Sequence, residues 1–173
     1  MKKRLNKTIC LVGMPGAGKT TIGKVLAKKL LVKFYDTDEL IEQKTNMKIS
    51  EIFNVKGEGF FRNLEHEIVK EVLENNKDFI LSVGGGCYIN FYIKNLLDSQ
   101  CETVFLDVNV MELKSRLVNS NQRPLIKNDN INHLYKSRIN KYLEAKYKVI
   151  STNKSVDEIA DEIINLVSLD EHV

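Results

Sequence analysis

Along the chain, short uninterrupted apolar runs alternate with longer stretches in which apolar residues recur at helical spacing. The runs 8–12 (TICLV), 33–35 (KFY), 79–83 (FILSV), 103–106 (TVFL) and 148–151 (KVIS) read as strands. Residues 19–30, 38–44, 58–75, 110–118, 131–147 and 155–168 read as helices. In the last of these, SVDEIADEIINLV, Val156, Ile159, Ile163 and Val167 share one face. Ser155 stands at its N-cap, and Glu158, three residues on, completes a capping box. Strands alternating with helices pair in parallel, which predicts a layered α/β domain. Two stretches take no regular pattern: 44–57 reads as short helix and loop, and 119–130 (NSNQRPLIKNDN) is polar and holds one of the chain's 2 prolines. Both are candidates for segments that move.

Composition narrows the class without naming a chemistry. The 173 residues suit one domain, 43% hydrophobic and 28% charged, with room for a full core. A net charge of +3 argues neither for nucleic acid nor for a membrane surface. The basic start, MKKRLNK, leads only into TICLV, which stops at a glycine, so neither a signal peptide nor a membrane span is expected. Cys10, Cys87 and Cys101 form no C-x-x-C pair and read as reduced thiols, which points to the cytoplasm. His66, His133 and His172 lie too far apart for the usual zinc spacings.

The most specific signal is GMPGAGKT at 13–20, a G-x-x-x-x-G-K-[ST] match at Gly13, Gly18, Lys19 and Thr20 between a strand and a helix. Glycines let successive N–H groups converge on phosphate oxygens, and the helix behind adds its positive end. Lys19 reaches the outer phosphates and Thr20 offers an oxygen to Mg²⁺. The loop therefore predicts ATP or GTP.

Other residues point to an acceptor, each with a plainer alternative. In FYDTDEL, Thr37 is the expected helix cap, with Asp38 and Glu39 at the favourable end. Equally, Asp36 could back a magnesium ion while Asp38 projects into the cleft above the sheet and orients a hydroxyl. Arg62 and Glu65, three apart, form either a surface pair or a rigid fork for a ligand carboxylate. Gly84, Gly85 and Gly86 form either a turn or bare backbone against which a substrate lies. Arg123 is either a solvated loop residue or a mobile cation for the phosphates. Arg138 and Tyr142, four apart, share a helix face, which on the plainer reading is another exposed side of a lysine-rich helix.

Taken in order, GMPGAGKTT, DTD, GEGFFRNLE, GGG, the RP pair of the polar segment and R-x-x-x-Y resemble the shikimate kinase family over residues 7–168. The resemblance implies a P-loop, nucleoside-monophosphate-kinase-like fold: a five-stranded parallel sheet in the order 2-3-1-4-5 between helices. It implies a single domain over 1–173, with a substrate-binding segment at about 36–64 and a lid at about 119–129. Gly16, Ala17, Gly18, Lys19, Thr20 and Thr21 would hold ATP, with Thr20 and Asp36 on Mg²⁺. Arg116 would stack on adenine, and Lys154 would touch it from the loop after the last strand. Asp38, Lys19 and Arg123 would carry the chemistry. Asp38, Arg62, Arg138, Gly84, Gly85 and Gly86 would bind shikimate, with Phe53 and Phe61 walling its ring. The resemblance further implies a cytoplasmic monomer acting on a small molecule, with neither nucleic acid nor membrane as partner. The chain departs from the family's usual R-x-P-L-Y, reading Arg138-Ile-Asn-Lys-Tyr142, and its lid contains no glycine.

Two other readings use the same cradle. One is a gluconate or nucleoside-monophosphate kinase, which the ring-acid pocket of DTD, Arg62, GGG and Arg138 disfavours. The other is a non-catalytic P-loop module, which the retained Lys19, Thr20, Asp38 and Arg123 disfavour.

Overall fold

The computed structural model describes residues 7–118 and 130–169. β1 (Thr8–Val12) is buried along its whole length, as the run TICLV requires of a strand covered on both faces. It lies at the middle of a five-stranded sheet ordered β2-β3-β1-β4-β5. β3 (Phe79–Ser82) and β4 (Cys101–Asp107) flank it, with β2 (Lys33–Asp36) and β5 (Tyr147–Ile150) at the edges, every pair parallel. Ile9, Leu11, Ile80, Leu81 and Phe105 are sealed from solvent. Each such side chain contributes about 1.5–3 kcal/mol through burial.

The helices are α1 (Lys19–Leu30), α2 (Thr37–Thr45), α3 (Ile49–Asn75), α4 (Phe91–Gln100), α5 (Val110–Val118), α6 (Ile131–Tyr142) and α7 (Val156–Leu169). α1 packs on α7, α2 and α4 on α3, and α5 on α6. The capping box at Ser155 forms: Glu158 Oε2 accepts from the Ser155 amide at 2.7 Å, and Ser155 Oγ accepts from the Glu158 amide at 3.3 Å.

Four expectations need correcting. Thr37 does not cap α2. Asp36 does, its Oδ1 accepting from the amides of Asp38 (3.0 Å) and Glu39 (3.3 Å). The stretch 44–57, read as short helix and loop, is helical over 49–56, which joins 58–75 across a break at Gly57. Its φ of 83° and ψ of 170° lie in a region open essentially to glycine alone. α6 stops at Tyr142 rather than continuing to 147, because Lys146 turns its amide onto Thr103 Oγ1 at 3.0 Å. α4 was not expected at all, since Phe91 and Tyr92 at its start are exposed and break the amphipathic pattern. The signal that could have found it is Asn90, whose side chain accepts from the amides of Tyr92 and Ile93, followed by buried Ile93 and Leu97 four apart.

Candidate active site

The carboxyl ends of β1, β2 and β3 open into two adjoining cavities, where open α/β sheets place ligands. The first, about 450 Å³, is lined by the whole run Gly16 to Thr21, with Asp36, Asp38, Arg116 and Lys154. The second, about 270 Å³, is lined by Asp38, Phe53, Phe61, Arg62, Gly84, Gly85, Gly86 and Arg138. Asp38 lines both. Every site residue expected from the sequence is on one of these two surfaces except Arg123, which lies with the expected lid, 119–129, outside the described residues.

In the first cavity the chain turns from β1 into α1 through Gly18, which caps the helix at φ 90°. Only glycine takes that left-handed conformation without strain. Lys19 is buried and donates to the carbonyls of Gly13 and Met14, each at 2.9 Å, so its ammonium sits inside the loop. Thr20 Oγ1 donates to Asp36 Oδ2 at 2.6 Å. One carboxylate and one hydroxyl form the small donor set that Mg²⁺ commonly takes from protein when phosphates and waters supply the rest. Arg116 is held by Glu112 and donates to the Gly16 carbonyl at 3.2 Å, which fixes it over the loop. Lys154 ion-pairs with Glu162 at 2.5 Å. Val156 and Ile159, read from the sequence only as part of the last helix's apolar face, add apolar wall.

The second cavity is built round an arginine held from two sides. Arg62 Nη1 donates to Glu65 Oε2 at 2.5 Å, and its Nε and Nη2 donate to Glu58 Oε1 at 3.3 and 3.1 Å. Glu65 is 1% exposed, so the pair is not a surface bridge. Burial pushes the Glu65 carboxyl above its ordinary value. The Arg62 guanidinium pulls against that, while the Cys87 thiol, donating at 3.3 Å, also favours the ionised form. The neighbouring Asp38 charge adds to the rise. The Cys87 thiol is itself driven well up by burial and by the Glu65 charge.

The glycine run is explained by its neighbours. A methyl group at Gly84 would fall 2.8 Å from Glu65 Oε1 and 3.0 Å from Asp38 Oδ1. One at Gly85 would strike Pro15 Cδ at 2.6 Å, and one at Gly86 would strike Arg62 Nη1 at 2.4 Å. Three successive glycines thus admit the acceptor carboxylate, the phosphate loop and the arginine. The Gly84 amide donates to Thr37 Oγ1 at 3.1 Å, and Gly85 and Gly86 line the cavity beside it. This is where Thr37, expected as a cap, is used.

Phe53 and Phe61 meet with ring centroids 4.6 Å apart and wall one side. Asn130, at the N-cap of α6, and Leu134 and Arg138 within it wall another side, four residues apart. The missing proline and leucine fall at Asn140 and Lys141, both exposed, and α6 runs through them to Tyr142. Pro15, Ile49, Glu58, Asn130 and Leu134 were not anticipated. For Asn130 and Leu134, their i, i+4 spacing with Arg138 was a usable signal.

The family model for shikimate kinase matches residues 15–168. A shikimate kinase from Sulfurihydrogenibium sp. is 40% identical over 163 residues, covering 93% of this chain and 98% of the relative. The structure of Acinetobacter baumannii shikimate kinase in complex with shikimate superposes with a TM-score of 0.92 at 30% identity, covering 98% of this chain and 96% of that one. Shikimate kinase from Aquifex aeolicus gives 0.80 at 34% identity, over 95% and 97%.

Proposed function

The chain belongs to the shikimate kinase family, and from that premise we propose how its residues divide the reaction. It is an ATP- and Mg²⁺-dependent phosphotransferase that moves the γ-phosphoryl group of ATP to the 3-hydroxyl of shikimate. The products are shikimate 3-phosphate and ADP, a step toward chorismate and the aromatic amino acids. The observation that carries the residue assignment is that Asp38 lines both cavities, at the place where donor and acceptor must meet.

In this reading the amides of Gly16 to Thr21 cradle the phosphates, and Lys19 exchanges its two carbonyl partners for phosphate oxygens. Thr20 and Asp36 hold Mg²⁺, which when bound neutralises charge on the phosphates. Arg116 and Lys154 border the adenine. Arg62 and Arg138 take the shikimate carboxylate, Gly85 and Gly86 meet its hydroxyls, and Phe53 and Phe61 flank the ring. Asp38 orients the 3-hydroxyl and receives its proton. The hydroxyl oxygen bonds to the γ-phosphorus as the bond from that phosphorus to the β–γ bridging oxygen breaks. Arg123, from the expected lid, supplies a further cation to the phosphates. Such transfer depends on positioning and neutralisation more than on a strong base.

Among the described residues no helix is long and apolar enough to cross a membrane. Three free, buried cysteines suit a cytoplasmic protein.

The test is ADP release with shikimate, gluconate or AMP offered separately, together with shikimate titration of Arg62→Ala. Release is expected with shikimate alone, and the variant should bind shikimate at least about 10-fold more weakly with ATP affinity unchanged. Unaltered shikimate affinity in the variant would remove Arg62 from the carboxylate site.

A further inference from the structure

Tyr142 is completely buried, its ring stacked on Phe105 of β4 at 5.2 Å and 22°. Its hydroxyl donates to the Gly85 carbonyl at 2.5 Å. One turn earlier on the same helix stands Arg138. Asn130, Leu134, Arg138 and Tyr142 thus form an unbroken i, i+4 stripe: the first three face the acceptor cavity and the fourth is fastened to the cavity's glycine wall.

That bond has a consequence for the amides. In a trans peptide the carbonyl and the following N–H point in opposite directions. The Gly84 carbonyl accepts from the Cys87 amide at 3.0 Å, which sets the direction of the Gly85 N–H. The Gly85 carbonyl is turned to Tyr142 on the buried side, which sets the Gly86 N–H away from the core, toward the side where Gly86 lines the cavity. Without the hydroxyl, the Gly85–Gly86 peptide loses the bond that orients it, and α6 loses its fastening to the glycine run.

We propose that Tyr142 is a positioning residue for the acceptor. It holds the hydroxyl-binding Gly85–Gly86 peptide and the carboxylate-binding Arg138 in one register. The proposal rests on the reading of Arg138 and the glycine run given above. It also accounts for what the chain keeps in its variant R-x-x-x-Y: the two intervening positions that depart from the family face solvent, while the two ends touch the acceptor cavity and its wall.

The test is Tyr142→Phe, which keeps the ring and its stacking. The Michaelis constant for shikimate is expected to rise about 10-fold, the order set by leaving a buried carbonyl without its donor. The constant for ATP should stay at the parent value, which a general loss of structure would not allow. In an Arg138→Ala background the same substitution should do much less, because the register it sets no longer has a carboxylate grip at its other end. An unchanged shikimate constant, equal losses on both substrates, or full additivity with Arg138→Ala would each overturn the proposal. Arg138→Ala with normal shikimate affinity would instead overturn the site reading on which it stands.

Discussion

The guanidinium of Arg62 occupies the space a side chain on Gly86 would need: a methyl group there would fall 2.4 Å from Nη1 and 2.7 Å from both Cζ and Nη2. Glu65 and Glu58 hold the arginine there from two sides. A glycine in a loop after β3 and an arginine on α3 therefore form one device, and the glycine's job is to leave room.

Gly86→Ala tests that relationship cleanly. Gly86 has φ −90° and ψ −15°, a backbone that alanine adopts without strain, so the methyl acts only by displacing Arg62. Shikimate affinity should fall about 10- to 100-fold, the loss of a charge-assisted contact, with ATP affinity and melting temperature nearly unchanged. Equal shikimate affinity in parent and variant would show that Arg62 grips nothing in that cavity.

Asp36 does two separable things: Oδ1 caps α2 and Oδ2 receives Thr20 Oγ1. Asp36→Asn keeps an acceptor for the cap but removes the charge. We expect it to fold normally and to need at least about 10-fold more Mg²⁺ for half-maximal rate. Asp36→Ala should show the same magnesium defect and lose about 1 kcal/mol of stability through the cap as well. A magnesium titration that coincides for parent and Asn variant would remove Asp36 from the metal site.

How much of this was legible beforehand follows from which residues act alone. Lys19, Thr20 and the glycines of GMPGAGKT work within one turn of chain, so spacing alone placed them. Gly84, Gly85 and Gly86 were visible as a group, but not their separate reasons, which come from Asp38, Pro15 and Arg62 on other elements. Thr37 shows the limit of local rules. Its place before α2 suits a cap, yet the neighbouring Asp36 takes that role and frees Thr37 for the Gly84 amide. Gly57 fell at the end of 44–57, the stretch read as short helix and loop; that it is a single break between two helical runs is visible only in its backbone angles.

Arg116 is braced by Glu112 from the same helix and by the Gly16 carbonyl of the phosphate loop. Arg116→Ala should weaken ATP binding about 10-fold, the scale of a lost cation–π contact together with the loop bond. Shikimate binding in the absence of nucleotide should be unaffected. Glu112→Gln should produce a smaller loss in the same direction, because it loosens the arginine without deleting it. Fluorescence titration with an ATP analogue separates these outcomes, and parent-like affinity in the alanine variant would contradict the assignment.

The last prediction concerns acid pH and turns on Glu65. Its carboxylate must be ionised to hold Arg62, yet burial raises its pKa above the ordinary 4.5, with Asp38 adding to the rise and Arg62 opposing it. A carboxyl with a raised pKa takes up its proton sooner as pH falls. The grip on Arg62 is therefore complete at neutral pH and is lost on descending through a window that opens above 4.5. The rate at low shikimate should show an acid limb in that window, while the nucleotide affinity measured alone should not. Glu65→Gln removes the titration: its profile should start lower at neutral pH and decline later on the acid side. An acid limb of the same midpoint in Glu65→Gln would assign it to another group.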